Sequence, residues 1–248
     1  MKKKLQETGQ NRLLRLVPLR HKTGGRPRFS NIPYRTEQGS IPKAPRGKVP
    51  YVSIQIGEQP PQTLADSTLI TKALIEQGYV EDLNQRLSPT ERMHDLALKA
   101  LLEDKLYPYQ TYERWILNFY TMRSKILAAL PWPVQVVVGN IIYRKVTRNL
   151  QGQGIMAFTE EEISEFRQEI WASLNAVVAE AQKKQSDRDR PFWVWGGEGP
   201  TEVDAVLFGF IASGAPATRE IIKGYPAVVD YARRIHDKYF PDYELWEE

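Results

Sequence analysis

Two dipeptides in the first third of the chain have the residue types to hold a small anionic ligand. Asp66-Ser67 precedes Leu69, Ile70, Ala73 and Leu74, which fall three and four apart and so share one face of a helix. An acid-hydroxyl pair at a helix start leaves backbone N–H groups unpaired, with the positive end of the helix dipole behind them. Val49-Pro50 stands just ahead of Tyr51 to Ile56, whose β-branched and aromatic mixture reads as a half-buried strand. The residue before a proline is pushed to extended geometry, which leaves its backbone groups free to bond a ligand, and cis peptides occur almost only before proline. Gly57-Glu58-Gln59-Pro60-Pro61 cannot continue a ladder and turns the chain. The local order is strand, turn, helix start, with Gly78 closing the helix.

Other catalytic chemistry is thin. The chain has no Cys, which excludes disulfides, zinc-thiolate sites and a cysteine nucleophile. Of its three histidines, His21 lies in a basic stretch, His94 beside Met93 and Asp95 on a helix, and His236 on a charged last helix. No pair has triad or metal spacing, so no metal is expected, and His94 reads as a packed helix residue rather than a general base. Trp132, Trp193 and Trp195, like Tyr107, Tyr109 and Tyr112, have the size to line an acceptor-substrate pocket, but packing is the commoner role of such aromatics.

The 248 residues suit one large or two small domains. No apolar run is long enough for a membrane span, and Lys2-Lys3-Lys4 is not followed by the apolar core of a signal peptide. A cytoplasmic protein is the expectation. The basic balance is local: residues 1–28 hold nine Lys/Arg against Glu7, whereas the remainder holds 25 basic and 29 acidic residues. A mildly acidic body argues against nucleic acid as a partner. Residues 1–30, basic and containing Gly and Pro, are expected to be disordered or atypical, with Leu13 to Leu19 as a candidate short strand. An Arg-rich, acid-poor start also suits a mitochondrial address, against which stand its low serine content and Pro18.

The elements that must position the two dipeptides are read in order. A strand is expected over Asn31 to Thr36. If Leu13–Leu19 is the first strand, only Arg20 to Ser30, with Gly24, Gly25 and Pro27, is left for a crossover that normally takes a dozen residues or more. The first βα unit is therefore expected to be missing or replaced. Residues 31–80 form this incomplete domain, 81–87 a linker, and 88–248 a helical domain. Ser88-Pro89-Thr90-Glu91 starts its first helix with a capping box, along which Met93, Leu96, Ala97, Ala100 and Leu101 recur at helical spacing. Pro108 is expected to end or kink it. A helix follows over Tyr109 to Leu130, Pro131-Trp132-Pro133 breaks it, and Val134 to Asn149 resumes. Thr159 caps a helix that buries Ile163, Phe166, Ile170, Leu174 and Val177 and ends at Lys183-Lys184. Thr201-x-x-Asp204 caps an apolar helix, a structural role.

Val49-Pro50 and Asp66-Ser67, in this setting, resemble the glutathione-binding half of the glutathione transferase superfamily. The resemblance implies that the Val49 backbone, before a cis Pro50, holds the cysteinyl part of glutathione, and that Asp66 and Ser67 hold its γ-glutamyl end. Thr201 and Asp204 resemble the capping box of that superfamily's helical domain. Ile32-Pro33-Tyr34, Gly47 to Tyr51, Ala65 to Ile70, Gly152 to Ile155, Phe208-Gly209-Phe210 and Tyr239-Phe240-Pro241 resemble the failed axon connections branch, related to the metaxins. The implied fold is α/β then all-α: a truncated thioredoxin-like domain followed by a glutathione-transferase-like helical domain. The implied function is a glutathione-binding or interaction scaffold with weak or no conjugating activity. An active glutathione S-transferase, whose thiolate donor would come from residues 1–31 (a backbone N–H or Ser30), and a metaxin-like adaptor at the mitochondrial surface are the alternatives. Partners are then glutathione, a small hydrophobic electrophile and a second copy of the chain. No catalytic residue is assigned, because the superfamily's thiolate-activating Tyr, Ser or Cys has no match after the first strand.

Overall fold

The computed structural model describes residues 12–17, 25–30, 35–36, 45, 51–56, 62–187, 189–242 and 244–246. His21, Ile32-Pro33-Tyr34, Val49 and Pro50 lie outside them. The chain divides into two compact units, Met1–Arg86 and Leu87–Glu248.

The first unit is built on a four-stranded sheet in the order β2-β1-β3-β4. Its strands are β1 (Arg12–Val17), β2 (Arg35–Thr36), β3 (Tyr51–Ile56) and β4 (Gln62–Ala65). β1 and β2 are parallel, while β3 is antiparallel to both its neighbours, β1 and β4. This is the thioredoxin-like arrangement. For Arg12–Val17 the strand reading holds in place of the disordered one: every residue of β1 has a partner on β3, from Arg12 opposite Ile56 to Val17 opposite Tyr51. Local charge and Gly/Pro content argued for disorder, but a ladder to a strand far downstream leaves no trace in local composition. The first crossover is present and reduced, a short helix α1 (Gly25–Phe29). Arg26 of α1 donates to the Glu81 carbonyl at 3.0 Å, and burial, opposed by Asp82, lowers its pKa to about 10.

The helix α2 (Ser67–Glu76) packs on the sheet against β3 and β4. Ile70 and Leu74 bury against Val52, Ile54 and Val80, with Leu64, Ile75 and Tyr79 around them. Its end is a Schellman motif: Gly78 at φ 69° turns the chain, its N–H reaches the Ile75 carbonyl at 2.9 Å, and the Tyr79 N–H reaches Leu74 at 2.8 Å.

The second unit is helical. Its first rod runs from α3 (Pro89–Ala100) through a wide π turn (Leu101–Leu106) into α4 (Tyr107–Tyr112) and a second π turn (Glu113–Leu117). Pro108 neither ends nor visibly breaks this rod, because it falls at the start of α4, where a missing N–H costs least, just after the π turn has reset the hydrogen-bond pattern. Then come α5 (Phe119–Ile126), α6 (Trp132–Gly152), α7 (Glu160–Lys184), α8 (Glu202–Ala212), α9 (Pro216–Lys223) and α10 (Pro226–Tyr239). Ser88 and Thr159 close reciprocal capping boxes with Glu91 and Glu162. Two apolar stripes differ from the sequence reading. On α3, Met93 and Leu96 are exposed and Asp95 is buried. On α7 the buried set is Ile163, Arg167, Trp171, Leu174, Val178 and Ala181, with Phe166, Ile170 and Val177 not fully buried. The apolar α8 is the centre of the unit, buried from Val203 through Ala212 except at half-buried Val206.

Candidate functional site

The Asp66-Ser67 pair sits where β4 hands over to α2. Asp66 is the single non-glycine residue with positive φ among those described, at φ 78° and ψ 125°. For a residue with a side chain that backbone costs on the order of 1–3 kcal/mol and persists only where its surroundings impose it. Here the imposing groups are its own caps: Asp66 Oδ1 accepts from the Thr68 N–H at 3.0 Å and the Leu69 N–H at 3.2 Å, and its carbonyl accepts from Ile70 at 2.9 Å. The Asp66 carboxylate is thus occupied in holding the helix start. Ser67, the first residue of α2, is exposed at the positive end of the helix dipole.

The sheet register sets the Asp66 junction beside the start of β3. Tyr51, which follows Pro50 in sequence, is paired with Ala65, which precedes Asp66. The chain therefore enters β3 and leaves β4 at one end of the sheet, a strand spacing (about 4.8 Å) apart. Val49 and Pro50 themselves lie outside the described residues. Ser30, at the end of α1, has a buried Oγ with no hydrogen-bond partner among the described residues.

The remaining candidates separate. Thr201 and Asp204 are fully buried, and the Asp204 carboxylate accepts from the Thr201 N–H (2.7 Å) and Oγ1 (2.9 Å), the Val194 N–H (2.9 Å) and the Tyr231 hydroxyl (2.9 Å). Burial raises the Asp204 pKa, partly offset by those four donors, and burial with the neighbouring Asp204 pushes Tyr231 well above its ordinary value. Trp132 is exposed, Trp193 is buried beside Tyr239, and the Trp195 indole donates to Asp95 Oδ1 at 3.1 Å with His94 next to its ring. The three tryptophans thus have separate surroundings. Tyr109 is buried against Phe166, and Tyr107 is exposed. Among the described residues no group of His, Cys, Asp and Glu is placed to hold a metal.

A buried polar cluster was not anticipated. Glu113, at the second π turn, accepts from Arg167 Nη2 (2.5 Å), the Thr218 Oγ1 (2.5 Å) and the Thr218 N–H (3.2 Å), and Arg167 also donates to Thr218 Oγ1 at 2.7 Å. The cluster ties the first rod to α7 and α9. Its one sequence signal is that Arg167 falls four residues from both Ile163 and Trp171, on the buried stripe.

Comparison with known proteins bears on the same features. Residues 26–122 match the family model of the glutathione S-transferase N-terminal domain. Metaxin-1 of Homo sapiens is 26% identical over 189 residues, 75% of this chain and 38% of that protein, and Metaxin-1 of Macaca fascicularis is 24% identical over 86% of this chain and 67% of that one. Residues 26–122 of this chain are thus similar to the glutathione S-transferase N-terminal domain, and most of the chain is similar, at low identity, to Metaxin-1. The chain spans 38% of the length of the human relative. Its fold is shared with two solved structures of low identity. One is maleylacetoacetate isomerase from Anaeromyxobacter dehalogenans 2CP-1, with bound dicarboxyethyl glutathione and citrate in its active site (TM-score 0.50, 15% identity, 90% of this chain and 86% of that one). The other is FzlA from C. crescentus (TM-score 0.51, 14% identity, 93% and 94%).

Proposed function

We propose that this protein is a glutathione-binding or interaction scaffold of the failed axon connections type, with weak or no conjugating activity. The observation that carries the reading is the Asp66-Ser67 junction: a strained, self-capped backbone that presents an exposed hydroxyl and helix N-terminus at the sheet end where β3 begins. The γ-glutamyl end of glutathione, an α-carboxylate beside an α-ammonium, suits such a place: the Ser67 hydroxyl at the helix start favours the carboxylate and the charge of Asp66 the ammonium. Val49 and Pro50 would contribute backbone groups to the cysteinyl part. A conjugating enzyme must also stabilise the thiolate with a donor near the sulfur. Ser30, a side-chain candidate for that donor, has its oxygen buried, which favours binding over conjugation. The relation to Metaxin-1 favours a second reading, a metaxin-like adaptor at the mitochondrial surface rather than a cytoplasmic protein; among the described residues no single helix is long and apolar enough to cross a membrane.

The test is calorimetric titration with glutathione of the wild type and of Ser67→Ala. Saturable binding is expected, weakened by the substitution about 10-fold or more, as for a hydrogen bond to a charged group. A conjugation assay with a generic aryl halide should give little or no turnover. No heat at millimolar glutathione sinks the ligand-based reading and leaves the adaptor.

A further inference from the structure

The hairpin of α5 and α6 carries apolar side chains on the outside and is free of acids. From Arg114 to Phe158 the chain has six basic residues (Arg114, Arg123, Lys125, Arg144, Lys145, Arg148) and no Asp or Glu, within a body in which acids outnumber bases. On α6, Val134, Val137 and Ile141 are 43%, 61% and 62% exposed. At 100° per residue these three and Arg144, Lys145 and Arg148 fall within one arc of about 100°, running along roughly 21 Å of helix. Arg144, Lys145 and Arg148 are all exposed. At the tip, Ile126, Leu130 and Trp132 are also exposed, Trp132 by 68%. Nor is the hairpin loose: Phe119 meets Tyr143 edge-on at 5.1 Å, and the Arg123 stem lies so close to Gly139 that a Cβ there would fall 2.6 Å from Arg123 Cδ. The apolar arc is therefore held outward by a packed inner face.

We propose that this hairpin docks on an anionic lipid surface. Val134, Val137, Ile141 and Trp132 enter the headgroup boundary, and Arg144, Lys145 and Arg148 meet the lipid phosphates. An apolar stripe continued by Lys/Arg, with Trp at the end, is the pattern of a helix lying in the interface plane. The charge decides the occupant. In a dimer through this arc, parallel α6 helices would set the basic ends against one another, and antiparallel ones would press Arg144, Lys145 and Arg148 onto the Val134–Val137 surface. A fluid anionic surface satisfies both halves at once.

Because the chain has no Cys, Val137→Cys labelled with an environment-sensitive dye gives a single reporter. Glu220→Cys on α9, which packs on α7 and α10, is the control. Full-length protein is titrated with phosphatidylcholine vesicles with and without phosphatidylserine, and binding is measured separately by flotation. The expected result is a blue shift at position 137, and not at 220, with phosphatidylserine vesicles only, weakened by salt. Replacing Arg144, Lys145 and Arg148 by Gln should lower partitioning on the order of 100-fold. Val137→Ser/Ile141→Ser should lose the binding while keeping the helical circular dichroism. Three outcomes overturn the proposal: no shift at 137, equal shifts at both positions, or unchanged binding of the Gln variant. So does a dimer in sedimentation that shields the 137 dye without vesicles.

Discussion

Arg167→Met is the sharpest probe of the helical unit, because it removes the charge partner of a carboxylate with no access to water. Glu113 keeps its two donors from Thr218 but loses Arg167 Nη2 at 2.5 Å. Breaking a buried ion pair from one side costs about 3–5 kcal/mol, and the donors that remain put this case near 3 kcal/mol. Glu113→Gln strands the Arg167 guanidinium instead, although Arg167 retains its bond to Thr218 Oγ1 at 2.7 Å, so its cost should be somewhat smaller. In the double variant neither charge is left alone, and the loss should fall well short of the sum, by a coupling of about 2 kcal/mol. Urea unfolding followed by tryptophan fluorescence reads this unit alone, since all six tryptophans lie beyond residue 87. Additive costs, or an Arg167→Met variant within about 0.5 kcal/mol of wild type, would refute the reasoning that this pair is a coupled, desolvated unit.

Two further outcomes follow from groups with distinct physical causes. Asp66→Gly should be more stable than Asp66→Ala by about 1 kcal/mol, because both lose the cap but only glycine relaxes the positive φ; hydrogen exchange of the α2 amides measures it, and equal protection would show the backbone there to be unstrained. Burial alone would raise the Asp230 pKa, but hydrogen bonds from Arg234, Arg233 and Gln182 outweigh it and lower it below 3.8. A depressed carboxylate contributes stability above its unfolded value, lost as pH falls through the folded one. Asp230→Asn should therefore be less stable than wild type at neutral pH and converge with it below pH 3.8; a constant gap between the two melting curves counts against the assignment.

Helix starts were legible because capping is local chemistry. Ser88 with Glu91, Thr159 with Glu162 and Asp66 ahead of α2 are each decided within four residues. The same holds for Gly78, whose positive φ closes α2. The strand Tyr51–Ile56 was visible for a similar reason, its own β-branched and aromatic content. What the sequence did not determine depends on distant partners. Arg12–Val17 looks like part of a basic tail until Tyr51–Ile56 pairs with it. Register alone brings Tyr51 opposite Ala65 and so sets the start of β3 beside the Asp66 junction. Arg167 has the spacing of the buried stripe but no partner nearby in sequence, and its charge is met only by Glu113, 54 positions away. Met93 and Leu96 had the spacing of a core stripe, yet Asp95 faces inward, since the Trp195 indole and the Val203 N–H converge on its carboxylate. Local propensity and capping need only neighbours in the chain; burial, pairing and charge partnership are properties of the assembled fold.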